Sequence, residues 1–133
     1  MIETDPNGKS PNEPGSKLDF GKSPVFQGAL AYFPRALMAV ADVSQFGAKK
    51  YTWFGWKTVP DGQNRYTDAL LRHLIYEGIG QDEDADSGLT HAAHAAWNAL
   101  ARLELLLEER AIHDEHGTFD LLPFMDTGDV GTQ

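Results

Sequence analysis

Apolar positions along this chain fall into three helical runs, separated by stretches with no period. The first run begins at Pro34, a residue suited to a first helical turn. It carries Leu37, Val40, Ala41 and Ser44 on one face, with Gly47 placed to cap it after Phe46. The second is expected from about Asn64, with Leu70, Leu71, Leu74 and Ile75 as its apolar side and Gly78 to Gly80 ending it. The third starts near Thr90 and reads HAAHAAWNALARLELLLEERAI, dense in strong helix formers and without Gly or Pro. No segment has the alternation of a strand and no repeat is visible, so the expected fold is all-α.

The third run is apolar over a wide arc through Ala92, Ala96, Trp97, Leu100, Leu103, Leu106 and Leu107. A helix apolar beyond one stripe packs on more than one side. Three such helices bury modest surface alone, so a helical bundle completed by homo-oligomerisation is expected. Residues 1–17, rich in Pro, Gly, Asn, Ser and charge, read as a flexible arm. Residues 18–116 form the helical domain, opening with an irregular lead-in over 18–33. Residues 117–133, with FDLLPFMDTG, form a tail expected to pack back or to reach a neighbouring subunit. Between the first two helices the loop AKKYTWFGWKTVPDGQN carries four aromatics, which either pack on the core or form a platform for a flat ligand.

At 133 residues the chain is one domain. The absence of cysteine removes disulfides and thiolate zinc sites. No apolar run reaches the roughly 20 residues of a membrane helix, and the N-terminus is unlike a signal peptide, so a cytoplasmic protein is the default. A net charge of −9 repels nucleic-acid backbones, and the one small basic patch is Lys49-Lys50 with Lys57. A small polyanion such as a nucleoside triphosphate is compatible with that charge only if divalent cations lie between it and the carboxylates.

The stretch EGIGQDEDADSGLTHAAHAAWN supplies such groups: Glu77, Asp82, Glu83, Asp84 and Asp86, then two imidazoles. On the third helix His91, His94, Asn98 and Arg102 fall within about 80° of one another, a polar line on a mostly apolar rod. On the second, His73 and Glu77 share a face close to Tyr66. If the two helices are antiparallel neighbours, these lines face each other as the ligands of bundle metal sites do. Bland alternatives stay open: hydrogen-bonded core histidines, a solvated acidic loop, Asp86 or Ser87 as a cap of the third helix, a simply exposed Glu77, and Arg102 paired with Glu108, Glu109 or a neighbour. As a set, the buried polar groups need partners, and a cation supplies them. Carboxylates favour magnesium or manganese, and two imidazoles move the preference towards manganese, cobalt or zinc. With a phosphate substrate, Mg2+ or Mn2+ is expected.

The series FGAKKY (46–51), Trp56-Lys57, RYxxALLRHLxxxEG (65–78) and DxDSGLxHxAHAAWNAL (84–100) resembles the phage dATP/dGTP diphosphohydrolase family, of the all-α MazG-like nucleotide pyrophosphohydrolases. With KLDFGK (17–22) at its edge, the resemblance covers roughly residues 17–109. It implies a homodimer or homotetramer that hydrolyses a purine deoxynucleoside triphosphate between the α- and β-phosphates with two or three divalent ions. It also implies, for the version found in phages that replace adenine with 2-aminoadenine, that the substrate is dGTP and the product dGMP feeds 2-aminoadenine nucleotide synthesis in the host cytoplasm. The Glu-x-x-Glu and Glu-x-x-Asp motifs usual in MazG-type enzymes are not matched here, where the third helix reads His91-Ala-Ala-His94. The expected metal ligands are Glu77, Asp84, Asp86 and His73, with Glu77, His91 and His94 as the catalytic set. Asp82 and Glu83 are expected to be solvated. Lys49, Lys50, Arg72 and Lys57 are expected at the phosphates, Tyr51, Trp53 or Trp56 on the purine, and Asn98 at a ligand or the base edge. Two rivals remain. One is a non-catalytic helical phage interaction module with structural histidines. The other is an HD-type phosphohydrolase, weakened because the one adjacent His-Asp pair, His113-Asp114, sits at a helix end.

Overall fold

The computed structural model describes residues 2–113 (of His113, the backbone alone). The tail over 117–133 and the His113-Asp114 pair therefore lie outside the described residues. The chain divides into two compact units, Met1–Pro34 and the part from Arg35 onward.

The first unit is built on turns. Asp5 is its buried acceptor, taking the amides of Asn7 and Lys17, both at 2.7 Å. Those amides, Lys17's first, hold the Asp5 carboxyl below its ordinary range. Residues 5–17 thus carry an internal hydrogen-bond network around one carboxylate. Further on, the lead-in forms a short π-helical turn over Phe26–Leu30.

Three helices follow, α1 (Pro34–Lys50), α2 (Gly62–Gly78) and α3 (His91–His113), and all but the first residue of α1 belong to the second unit. Among the described residues the nearest thing to a strand is an isolated bridge between Glu83 and Thr90, so the all-α expectation holds. The end of α1 differs from expectation. Gly47 does not cap it; the helix runs a further turn, closed by the Tyr51 amide on the Gly47 carbonyl at 2.8 Å. Lys49 and Lys50 in that turn oppose the negative end of the helix dipole.

α2 and α3 are antiparallel neighbours. The pairs Gln63–Glu109, Arg102–Thr67 and His73–His91 run in opposite directions along the two rods. Gly62 permits close approach at one end, because a Cβ there would lie 2.9 Å from a Leu105 methyl. Arg102 pairs with Thr67, not with Glu108 or Glu109; Lys57 takes Glu108 and Gln63 takes Glu109. α3 is capped neither by Asp86 nor by Ser87 but by Thr90, whose hydroxyl accepts the Ala93 amide at 3.1 Å.

Among the described residues the buried apolar set is small: Val43, Ala93, Ala95 and Ala101. Leu71, Leu74 and Ile75, expected on the apolar side of α2, are exposed, as are Ile79 and, on α3, Leu100 and Leu103.

Candidate functional site: a histidine seam opening on an aromatic cleft

The α2–α3 contact is polar at its loop end. His91 is 1% exposed, and His94 and Asn98 are also buried. His73 of α2 meets His91 Nδ1 to Nδ1 at 2.8 Å and stacks on His94, with ring centroids 4.6 Å apart. Gln81 Oε1 lies 3.0 Å from His91 Nε2 and can only accept, so that nitrogen carries the proton. In neutral His91, Nδ1 is then the acceptor for the His73 Nδ1–H, which leaves His73 Nε2 with a free lone pair.

The acidic loop turns one carboxylate inward. Asp84 donates its amide to Leu89 and accepts that of Gly88, both at 2.8 Å, while its side chain accepts the Ser87 amide at 2.9 Å. The Ser87 hydroxyl lies 2.7 Å from His94 Nε2, and Asp84 Oδ2 is 3.9 Å from the same nitrogen. Donor atoms of His73, Asp84 and His91 all lie within 4.8 Å of one another.

Protonation suits this group to a cation. Burial, followed by repulsion from His94 and His91, lowers the pKa of His73 to about 4. Burial likewise lowers that of His94, partly opposed by Asp84. For Asp84 burial pushes upward, but hydrogen bonds from Ser87 and the imidazoles outweigh it and keep the carboxylate ionised. Neutral imidazoles beside an ionised carboxylate are the species that bind metal.

His94 and Asn98 also line a cleft of about 1030 Å³ between the end of α1, the aromatic loop, α2 and α3. This is ample for a nucleotide. Trp56 edges against Tyr66 and Trp97, with centroids 6.1 and 5.7 Å away, and forms part of the packed wall. Tyr51 and Trp53 are mostly exposed within the same lining. Phe54 sits at φ 63°, a left-handed conformation costing on the order of 1–2 kcal/mol in a residue other than glycine.

The expected site residues separate into groups. His73, Asp84 and His91 meet, with His94 beside them. Lys50, Tyr51, Trp56, Arg72 and Asn98 all line the cleft. Asn98 spends its amide on the His94 carbonyl at 2.8 Å. Lys50 is bound to Asp86 at 2.9 Å, a contact that raises its pKa. Glu77 is exposed on the last turn of α2, outside the donor group, and Lys49 is exposed outside the cleft lining. Asp82 and Glu83 are exposed too, although the Asp82 carbonyl accepts the His91 amide. Gln81 and Ser87, which orient the seam, carry no signal in the sequence beyond their place in the acidic loop.

A helical frame with a histidine–carboxylate donor group, joined through His94 to a nucleotide-sized aromatic cleft, defines the class. The family model described as "dATP/dGTP diphosphohydrolase, N-terminal" matches residues 12–115, and the chain belongs to that family. A protein of Salmonella phage PMBT28 named dATP/dGTP diphosphohydrolase is 35% identical over 101 residues, covering 76% of this chain. The chain spans about a third of that relative's length, 32%. No solved structure matches significantly.

Proposed function

We propose that this chain forms the catalytic region of a metal-dependent purine deoxynucleoside triphosphate diphosphohydrolase. It would convert dGTP or dATP and water to the monophosphate and pyrophosphate. The observation that carries this reading is the junction itself: three cation-donor groups within 4.8 Å, joined through His94 to a cleft with Arg72 on its wall. The relative's name and the family description agree with it.

His73, Asp84 and His91 would hold the cation. Two imidazoles and one carboxylate suit Mn2+ better than Mg2+. Held by these residues, a divalent ion would supply charge neutralisation at the phosphates and a lowered pKa for the attacking water. Two or three ions per site, as the resemblance implies, would draw in Glu77 and Asp86. His73 offers its free Nε2 to a cation, whereas the His91 Nδ1 lone pair now accepts the His73 Nδ1–H, so a cation would compete with that hydrogen bond at His91 alone. His94, kept neutral and facing the cleft, is the base for the attacking water's proton. Arg72 binds phosphate oxygens, and Lys50 joins it by exchanging Asp86 for phosphate. Tyr51 or Trp53 stacks on the purine, worth on the order of 1–3 kcal/mol. The dGMP formed would feed 2-aminoadenine nucleotide synthesis in a phage that replaces adenine, a role supported by the resemblance. The exposed row Leu71, Leu74, Ile75 and Ile79 supports assembly as a homodimer or homotetramer.

The test is product analysis over the four deoxynucleoside triphosphates with Mn2+. Pyrophosphate and purine monophosphate are expected, and Asp84→Asn should lower turnover roughly 100-fold or more. Release of intact triphosphate would assign the HD-type chemistry instead. No turnover, with no thermal stabilisation by Mn2+ and nucleotide, would leave the non-catalytic module.

A further inference from the structure

The α2 wall of the cleft carries an ordered set of charges. Arg65, Asp68 and Arg72 all line it, at intervals that keep them on one helical face. Arg72 adjoins His73 and so marks the metal end. Asp68 lies five residues back from His73, about 7.5 Å along the axis at 1.5 Å per residue. Among the described residues no cation lies within ion-pair distance of Asp68. Nor does its side chain take part in a hydrogen bond there.

A free carboxylate on the wall of a triphosphate cleft is unfavourable beside the phosphates and must face another part of the ligand. Resting on the proposed hydrolase reading, we propose that Asp68 determines base specificity by accepting the N1–H and N2–H of guanine. Guanine presents two adjacent donors on that edge, which a carboxylate takes as paired charge-assisted bonds. Adenine presents an acceptor at N1, so the same carboxylate meets a lone pair and keeps at most one bond. The helical spacing agrees: with phosphates at the Arg72 level, the base lies a turn or more away along the same wall, at Asp68.

Equilibrium binding of dGTP, dITP and dATP, read by tryptophan quenching with Ca2+ in place of Mn2+ to suppress turnover, tests this directly. The wild-type chain should bind dGTP about 10- to 100-fold more tightly than dATP, with dITP, which lacks the 2-amino group, in between. Asp68→Asn is close to isosteric on an exposed side chain, so folding is retained. Its amide matches the donor–acceptor edge of adenine, so the variant should lose the dGTP preference and bind dATP at least as well. A wild-type chain without dGTP preference, or an Asp68→Asn variant whose dGTP-to-dATP ratio is unchanged, overturns the assignment. So does an equal loss of all three nucleotides, which would place Asp68 at the sugar. Preference without hydrolysis under Mn2+ would sink the hydrolase reading and leave this one standing. Hydrolysis of both purines without preference would do the reverse.

Discussion

Two surfaces of α2 invert the usual rule. Towards α3 it presents a histidine that meets two more, one of them the most buried large side chain described. Away from α3 it presents Leu71, Leu74 and Ile75, continued by Ile79 just past its end, between 46% and 75% exposed. A helix that optimised this chain's own stability would exchange the two faces, because buried polar groups gain nothing unless paired and exposed aliphatics forgo burial. The inversion separates two demands. The proposed chemistry accounts for the polar groups inside, and the proposed assembly for the apolar groups outside.

Making the inner face apolar perturbs the molecule most. His91→Ala should cost about 2–4 kcal/mol, combining a cavity with orphaned bonding groups on His73 and Gln81. Replacing both partners, in His73→Phe/His91→Leu, removes the polar groups together and should recover much of that loss. Activity should stay absent in both variants. Urea midpoints beside Mn2+-dependent turnover measure the two effects. A double variant that regains stability and also hydrolyses dGTP would show the seam to be structural only.

The outer face is tested next. Leu74→Asp should change the stability of an isolated monomer by within about 0.5 kcal/mol, since the site faces solvent. In an oligomer the same charge would be buried unpaired, so the assembly should dissociate to protomers of 14.7 kDa. Light scattering after gel filtration reads the mass directly. An unchanged mass would mean that this row covers nothing.

How much of this was legible beforehand varies with the physics involved. The three helices follow from period and propensity. The facing of His73 and His91 follows from antiparallel helices with polar lines one turn deep. What escaped were outcomes of competition between partners. Asp84 and Asp86 are equivalent in sequence, yet Asp84 is turned inward by the Ser87 and Leu89 turn while Asp86 is drawn out to Lys50. Glu77 shares a helical face with His73 but lies at the last turn of α2, where it is exposed. Gly47 escaped for a similar reason: a glycine ends a helix only if the next residues turn away, and Lys49 and Lys50 instead complete a favourable last turn. The apolar face of α2 was legible from its spacing, but periodicity marks a face without saying what covers it, and here Leu71, Leu74 and Ile75 are exposed.

The smallest expected effect sharpens the contrast by titration. The folded state keeps His73 neutral down to about pH 4, whereas in the unfolded chain it protonates near 6.5. Below 6.5 the unfolded state therefore binds the additional proton, and stability falls as pH drops from 6.5 towards 4; above 6.5 the contribution is complete. Each group contributes at most 1.36 kcal/mol per pH unit, and solvent screening of a partly exposed imidazole reduces the total to about 1 kcal/mol. His94, lowered for the same reason, adds to the slope in the same direction. Asp84 is also lowered, but its contribution is lost only at more acid pH, through the carboxylate range. Urea midpoints at pH 7 and pH 5 in the presence of a chelator isolate the histidine window. The slope should shrink in His73→Phe/His91→Leu and be untouched by Leu74→Asp, because the inner face carries the titrating groups and the outer face carries none.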